Sequence, residues 1–409
     1  MSNNLVTIDM VTREALRIAH EKCQFISTTD RQYDSSFAKT GAKIGASLRV
    51  RKPNQYLRTQ GTRVMDVQEQ DEQTSTVTVA TQDHVDMRFN SAELALSLDE
   101  LSKRYIEPAV SSLVSAIEGD YLAYATKKTY NVVGTAGTAI TDLTAPGLAR
   151  ARLNQMLAPK DRNRAIQMDS VTMAGLVKGV AAYFNPSGAI SEQYREGLVA
   201  RTSMADYYEN ERVWTLTNSG DVTVTTAAAA AVTDGGTNIT LASVAAGDTT
   251  AGMTFTVAGV YACHPETKQS LGYLQPYVVI TGGATTQTVS PATILTGPRQ
   301  NVCSAASAQL ATTAYNGTAV AVTFFGAANT SYAQSLMYHK EAFQFVTADL
   351  PLMDDAHKCV RRSQDGLSLR VWQASDIRND ELLMRIDILY GVAALRPEWA
   401  CRMIGAATA

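Results

Sequence analysis

The sequence lacks the features of several common protein classes. No apolar run approaches the roughly eighteen residues of a membrane-spanning helix, so we expect no membrane span. The first residues, MSNNLVTIDM, do not form the basic and then apolar regions of a secretory signal. The cysteines are scattered and contain no CxxC pair, which predicts reduced structural thiols in a cytoplasm. They are Cys23, Cys263, Cys303, Cys359 and Cys401.

The chain also lacks an excess of positive charge. The formal net charge is −3, and the chain has no basic tail. Proteins that bind nucleic acid through its phosphates need a basic surface, so this balance argues against bulk electrostatic binding of nucleic acid. If a chain of this kind encloses a genome, it does not neutralise the charge of the genome's phosphates.

Motifs for catalysis and metal binding are missing as well. The sequence has no GxGxxG after a strand, no Walker loop, no HExxH and no GxSxG. The five histidines are dispersed, without the spacing of metal ligands. Lys52 and Asn54 would need a positioned acid beside them to form a covalent cross-link. We therefore predict no enzymatic activity, no cofactor and no metal site.

The strongest pattern present is a long helix, from near Glu107-Pro108 to about Asn131. Pro108 suits a first helical turn, and Lys127-Lys128 favour the negative end of the helix dipole. At about 1.5 Å per residue the helix is roughly 35 Å long, enough to span a domain. Its apolar face is predicted to hold Ile106, Val110, Leu113, Ile117, Tyr121 and Tyr124.

Residues 1–45, before this helix, indicate an N-terminal arm. Thr12 is predicted to cap a short helix that ends near Cys23, with Leu16 and Ala19 on one side. The polar residues that follow predict an extended segment. An arm that lies on a partner and a frayed terminus both fit this composition.

Residues 46–90 predict a long two-stranded excursion, because Val77 and Val79 alternate with polar residues, as do Val85 and Met87. Basic residues come first and acidic residues follow. The charges could pair across the excursion's own strands, or they could meet neighbouring subunits and set their register. The candidate contact residues are Arg49, Arg51, Lys52, Arg58, Arg63, Asp66, Glu69, Asp71 and Glu72.

The remaining chain predicts a peripheral domain at 91–144, which contains the long helix, and a plate-like α/β domain at 145–217 and 332–409. A capping box at Ser97–Glu100 predicts a short helix in the first of these. The helices predicted in the plate are Gly147–Leu157 and Ile190–Ala200. The strands predicted there are Ala165–Met173, Val213–Leu216, Met337–Val346, Leu367–Val371 and Met384–Ile388.

Between the two parts of the plate, residues 218–331 differ sharply in composition. Thr, Ala, Gly and Val dominate, and short alternating runs are separated by turn signals such as Asn316-Gly317. This pattern predicts an inserted all-β barrel or sandwich, whose ends near residues 217 and 332 lie close together. From Asn218 to Asn329 the charged residues are Asp221, Asp234, Asp248, Glu266, Lys268 and Arg299.

Three stretches resemble the major coat proteins of tailed bacteriophages. They are DGLSLRVWQASDIRNDELLMRIDILYGVAALRPEWACRMIG (Asp365–Gly405), SLMYHKEAFQFVTADLPL (Ser335–Leu352) and GMTFTVAGVYACHPETKQSLGYLQPYVV (Gly252–Val279). The last is similar to the inserted β-barrel domain of the podovirus coat-protein type. The order of arm, extended loop (E-loop), spine helix, plate and insert also matches, so the resemblance covers essentially the whole chain.

The resemblance implies an α+β fold of the Hong Kong phage capsid type with an inserted β-barrel. It implies a non-enzymatic shell protein without cofactors, assembled in the host cytoplasm and located in the virion. The implied partners are further copies of the chain in hexamers and pentamers, a scaffolding protein and a portal protein. The shell would enclose double-stranded DNA without strong sequence-specific binding.

Two rival interpretations remain at this point. A host- or carbohydrate-binding β-domain protein would present an exposed aromatic cluster, for which Tyr261, Tyr273 and Tyr277 are the candidates. An enzyme of an unrecognised class would instead bring titratable groups together, and the insert contains few of them.

Overall fold

The chain forms two units, each assembled from separate stretches of sequence. The first unit comprises Met1–Val50, Thr74–Leu122 and Phe343–Leu395, and the second comprises Arg51–Gln73, Ala123–Ala342 and Arg396–Ala409. The computed structural model describes residues 8–31, 47–61, 65, 67–68, 72–90, 102–180, 205–218, 226–227, 234–241, 249–282, 286–303, 320–352, 358–364, 366–376, 378–379 and 381–408.

Helices and strands of the described residues are numbered in chain order. The helices are α1 Ile8–Lys22, α2 Phe25–Thr28, α3 Glu107–Lys128, α4 Thr144–Gln155 and α5 Ser170–Val180, and a π-helical turn at Ser102–Ile106 leads into α3. The strands are β1 Asp30–Arg31, β2 Ser47–Arg51, β3 Thr74–Thr78, β4 Thr81–Asn90, β5 Val132–Val133, β6 Arg164–Met168, β7 Asp206–Glu209, β8 Thr215–Thr217, β9 Thr226–Ala227, β10 Gly236–Thr240, β11 Thr254–Cys263, β12 Ser270–Thr281, β13 Thr286–Thr293, β14 Val302–Cys303, β15 Val320–Phe324, β16 Ser331–His339, β17 Phe343–Ala348, β18 Lys358–Gln364, β19 Leu367–Asp376, β20 Glu381–Ala394 and β21 Ala400–Thr408.

The first unit is built on a six-stranded sheet in the order β1-β17-β20-β19-β18, with β4 also paired to β20. Helix α1 packs on β18 and β19 through a buried face that includes Val11, Ala15 and Leu16. Arg370 and Asp387 are buried in this sheet, where the arginine Nε donates to the carboxylate at 3.1 Å. Paired in this way, the two charges avoid the large cost of burying either alone.

Helix α3 contributes aromatic packing to the first unit. Tyr121 is buried against Phe25 and Phe345, with ring centroids 4.7 and 5.5 Å away. Phe345 also stacks on Tyr390 in the neighbouring strand at 5.5 Å. Burial of these large apolar rings favours the folded state and fixes α3 against the sheet.

A second six-stranded sheet, here called the plate sheet, lies in the second unit. Its order is β5-β21-β16-β6-β7, with β8 paired to β16. Strand β6 is buried along its whole length, as expected for a strand in the middle of a sheet. Helix α4 packs against β21, and Trp399 Nε1 donates to the Met156 carbonyl at the C-terminal end of α4 at 3.1 Å.

The second unit also contains a seven-stranded sheet, the insert sheet, in the order β10-β13-β12-β11-β15-β9 with β14 paired to β11. Phe255, Tyr277 and Val279 lie in its core. At its root, Thr217 and Ser331 are paired in register, and their hydroxyls lie 2.7 Å apart. The expectation that the two ends of the insert lie close together is therefore confirmed, whereas its status as a separate barrel domain stays a prediction.

The α+β class and the helix at Glu107–Lys128 are confirmed, but two strand predictions in the plate are wrong. The strand predicted at 165–173 ends at Met168, because the Asp169 carboxylate accepts a hydrogen bond from the Thr172 N–H and starts α5. The strand predicted at 337–346 is two strands of different units, separated by a 3₁₀ turn at Lys340–Ala342.

Differences also occur near the N-terminus. Thr12 does not cap α1: the helix already includes Ile8, and the Thr12 hydroxyl donates to the Ile8 carbonyl at 2.7 Å from inside it. The predicted excursion contains β2 paired with β3, whereas β4 joins the main sheet. The helices predicted at Ser97 and at Ile190–Ala200 lie outside the described residues.

Candidate assembly surface

The charged residues predicted for subunit contacts are only partly within the described chain. Arg49, Arg51, Lys52, Arg58 and Glu72 are described. Arg63, Asp66, Glu69 and Asp71 lie outside the described residues.

The strand pair β2–β3 closes the base of the loop formed by residues 52–73. The Lys52 N–H donates to the Gln73 carbonyl at 2.8 Å, and Pro53 then lacks the N–H needed to extend the ladder. Arg51 and Glu72 face each other across this base at 3.3 Å, and both side chains are solvent-exposed. An exposed pair of this kind contributes at most about 1 kcal/mol. The charges of Arg51 and Glu72 therefore pair with each other within the chain, which is one of the two interpretations that the sequence allows.

Polar contacts cross the loop farther out. The Gln68 side chain accepts from the Leu57 N–H at 2.8 Å and donates to the Leu57 carbonyl at 2.6 Å. The Arg58 guanidinium donates to the Gln60 side chain at 3.2 Å. Gln68 thus takes both backbone bonds that a facing strand would otherwise make with Leu57.

Exposed apolar side chains are concentrated in the same loop. The sequence analysis predicts subunit contacts through the charged residues of this loop and does not include the apolar ones. Met65 is 87% exposed and Val67 is 79% exposed, and Tyr56 and Leu57 are also exposed. Grouped apolar side chains on a surface mark sites of protein contact. In the sequence, the signal for such a surface is that these apolar residues stand in a stretch with neither helical nor strand periodicity.

Titratable groups come together at one place in the plate sheet without forming a catalytic site. His339 Nδ1 accepts from the Glu341 N–H at 3.3 Å, so Nε2 carries the proton and donates to Asp161 at 3.0 Å. Partial burial acts to raise the pKa of Asp161, but hydrogen bonds from Asn163 and His339 outweigh it and lower that pKa to about 2. This geometry fixes the start of β6 and leaves no free base.

Within the described residues, no group of three or more His, Cys, Asp or Glu side chains is placed to hold a metal ion. None of the described helices is long and apolar enough to cross a membrane.

The aromatic residues considered for sugar binding do not form an exposed cluster. Tyr277 is fully buried, and its hydroxyl lies 3.1 Å from that of Thr293. The ring of Tyr273 is covered by the Arg152 guanidinium, 3.1 Å from the ring centroid, beside a cleft of about 370 Å³. A sugar-binding platform needs open ring faces, so the host- or carbohydrate-binding interpretation is not supported.

A protein-family model matches most of the sequence. The family model described as "P22 coat protein - gene protein 5" matches residues 71–405. Among curated proteins, no sequence matches the chain.

Similar solved structures come from several phages. A structure from Mycobacterium phage Che8 is 8% identical with a TM-score of 0.48, covering 93% of this chain and 90% of that one. The capsid of the cyanophage P-SCSP1u is 10% identical with a TM-score of 0.44, covering 93% and 87%. The capsid of Ralstonia phage GP4 is 9% identical with a TM-score of 0.43, covering 93% and 86%.

Proposed function

The chain belongs to the P22 coat protein family and is a major capsid protein of a tailed bacteriophage, and we propose that its copies assemble with a scaffolding protein into an icosahedral procapsid. Its place is in the shell of the virion. The procapsid then matures into a head filled with double-stranded DNA, with hexamers and pentamers of the chain closing the shell and a portal protein at one vertex. The chain acts as a structural protein and not as an enzyme.

The loop at residues 52–73 supports this proposal most directly. It presents Met65 and Val67 to solvent, which is costly for an isolated chain and favourable once a second copy covers them. Arg58 is an exposed charged residue of the same loop. In this proposal apolar burial supplies affinity, and the charges select register and reject wrong partners.

The domain roles form part of the proposal. Residues 1–45 act as an arm, 46–90 as an extended loop, 91–144 as a peripheral domain with the spine helix, and 145–217 with 332–409 as the plate. The insert at 218–331 stiffens the plate during folding and offers loops to neighbouring subunits. Its core residues, nearly all of which lie within 218–331, support this division.

Substitution of the exposed apolar pair tests the loop. Met65→Ser together with Val67→Ser should greatly reduce the yield of closed particles seen by electron microscopy after co-expression with scaffolding protein. The free chain should unfold at the same urea concentration, because side chains this exposed contribute little to the fold. Val171→Ser is the matched control, since Val171 is 82% exposed but lies on α5. Normal particle yield from the double variant would rule out this loop as an assembly surface.

The charges are tested separately. Arg58→Glu with Arg63→Glu should block assembly without unfolding the chain, and adding Glu69→Lys with Asp71→Lys should restore part of it. The effect should be strongest at low salt, where charges are least screened. Normal assembly of the reversed variant at low salt would show that these charges are merely solvated.

A further inference from the structure

Two of the five cysteines, forty residues apart in sequence, are neighbours in the insert sheet. Strands β11 and β14 pair antiparallel, with Tyr261 opposite Cys303 and Ala262 opposite Val302. Cys263 is two residues beyond Tyr261, so its side chain lies on the same face of the sheet as Cys303. In this register Cys263 and Cys303 are diagonal neighbours on two paired strands.

Both thiols are enclosed by the sheet. Cys263 and Cys303 are buried, and the Cys303 thiol also approaches the Ala262 carbonyl, with Sγ and oxygen 3.8 Å apart. Lys268 is buried beside them and donates from Nζ to the Gln300 carbonyl at 3.3 Å. Burial and, after it, the neighbouring Cys303 together raise the pKa of the Cys263 thiol to about 12, while Lys268 acts to lower it.

Metal binding does not account for this pair. His264, the next residue, turns its Nδ1 back to accept hydrogen bonds from the N–H groups of Glu266 and Thr267, both at 3.2 Å. The imidazole nitrogen nearest the turn is therefore already used, and two thiols alone do not complete a tetrahedral site. What the geometry does provide is two sulfurs at diagonal positions on one face of paired strands. Such positions lie about 7–8 Å apart, so a disulfide also requires a small movement of the short strand β14 towards β11.

We propose that Cys263 and Cys303 form a redox site that closes into a disulfide after the shell leaves the reducing cytoplasm. The timing rests on the proposed function, whereas the bond itself rests only on the geometry. The oxidant is a small-molecule disulfide such as oxidised glutathione. One cysteine thiolate attacks it and releases one glutathione, and the second cysteine then attacks the mixed disulfide and releases the other. The protein loses two protons and two electrons, and the glutathione disulfide gains them as two thiols.

The consequence concerns the strands between the two cysteines. Residues 264–302 contain β12 and β13, so a bond from Cys263 to Cys303 closes a loop around both strands and fastens β14 to β11. A closed loop lowers the entropy of the unfolded chain and makes its unfolding less favourable. Because both thiols are buried and Cys263 is protonated at neutral pH, oxidation should be slow in the intact protein.

Peptide mapping of the full-length chain tests the proposal. The protein is incubated with oxidised glutathione, blocked with N-ethylmaleimide in denaturant, and digested with trypsin without reductant. Cleavage after Lys268 and Arg299 places the two cysteines on different peptides. We expect these peptides to appear joined, at a mass lower by two hydrogens than their sum, and to separate after reduction. Maleimide labelling of both cysteines should be lost, whereas Cys359, in β18, should carry either maleimide or a single glutathione and should join no other peptide.

Cysteine variants and a second oxidation condition serve as controls for the peptide mapping. Cys263→Ser and Cys303→Ser should each abolish the joined peptide, and Cys359→Ser should leave it unchanged. If the native protein stays reduced, the oxidation is repeated in mild urea, which opens the sheet to the reagent. Free thiols at both positions in both conditions would overturn the proposal. So would glutathione held at one of them without transfer to the other, or a bond from either to a different cysteine.

Discussion

The Glu118 carboxylate accepts hydrogen bonds from the backbone N–H groups of Phe25 and Ile26, at 2.8 and 3.3 Å. Glu118 belongs to α3 and is fully buried, and the two N–H groups open the short helix α2. Gln24, the residue before that helix, provides no side-chain cap. Glu118 therefore supplies from a distant part of the chain the acceptor that an N-cap residue usually provides.

We predict that Glu118→Ala destabilises the chain more than Glu118→Gln. Alanine leaves two buried N–H groups without this acceptor, at a cost of about 2 kcal/mol or more, whereas glutamine retains one acceptor oxygen. Urea unfolding of the free chain measures both. Glu107→Gln is the control, because Glu107 forms an exposed pair with Lys22 at 3.7 Å and its substitution should change the stability little. Equal losses for alanine and glutamine would show that an uncharged acceptor oxygen at this position does not stabilise the fold.

This relationship shows what the sequence could and could not predict. Helical periodicity placed α3 and its buried Tyr121 correctly, because one helix face must be apolar over its whole length. Glu118 lies beside that face, and the residues around it in the sequence do not indicate hydrogen-bond partners more than ninety residues away. Arg370 likewise lies in the predicted strand Leu367–Val371, but its burial with Asp387 depends on which strands become neighbours.

The candidate site was predictable to a similar extent. The β2–β3 pair could be read from strand periodicity, and charges on the loop suggested contacts. The exposed Met65 and Val67 were missed because an apolar side chain in a loop does not reveal, by itself, whether it is buried. The end of β6 differs from the prediction for a local reason. The predicted strand includes Asp169, although Asp before Ser is a common helix start.

Gly134 lies where a side chain cannot fit. Its φ is +91°, and a methyl group there would lie 2.5 Å from the Ile404 carbonyl oxygen. Gly134→Ala should therefore lower the free energy of unfolding by about 3 kcal/mol, combining backbone strain with a backbone clash. Gly137→Ala is a matched control, because Gly137 has a φ of +86° with no atom within 4 Å of the added methyl group. It should cost only about 1 kcal/mol. Equal losses in thermal or urea unfolding would mean that the Ile404 contact is not tight.

Asp161 should make the stability of the chain depend on pH in the acid range. Its pKa is about 2 in the folded chain, below the unfolded value of about 3.9. A carboxyl with a lowered folded pKa stabilises the fold fully above the unfolded pKa, and this contribution is lost as pH falls towards 2. Between pH 4 and pH 2, the unfolding free energy should fall less steeply for Asp161→Asn than for the unchanged chain.

Asn163→Ala is a third variant for the same measurement of stability against pH. It removes the side-chain donor at 2.8 Å from Asp161 but keeps the His339 bond at 3.0 Å. Its pH dependence should lie between those of the other two proteins. Parallel curves for all three proteins would show that Asp161 is not responsible.

The insert is predicted to fold on its own. Of its core cluster only Leu216 and the adjoining Trp214 come from outside residues 218–331. Excision also removes the bond from the buried Arg402 guanidinium to the Gly252 carbonyl at 2.7 Å. We expect the fragment 218–331 to give dispersed amide proton signals and cooperative melting, with lower stability than in the full chain. A fragment that includes Val213–Thr217 should be more stable. Random-coil spectra from both fragments would show that the plate supplies the core.

Assembly itself is the central claim, and the size of the particles formed with scaffolding protein tests it most directly. The full-length chain is co-expressed with the scaffolding protein of its phage, and the product is examined by electron microscopy and sedimentation. We predict closed, icosahedral particles of uniform size that contain many copies of the chain. A chain that stays monomeric under every assembly condition, with scaffolding protein present, would contradict the account.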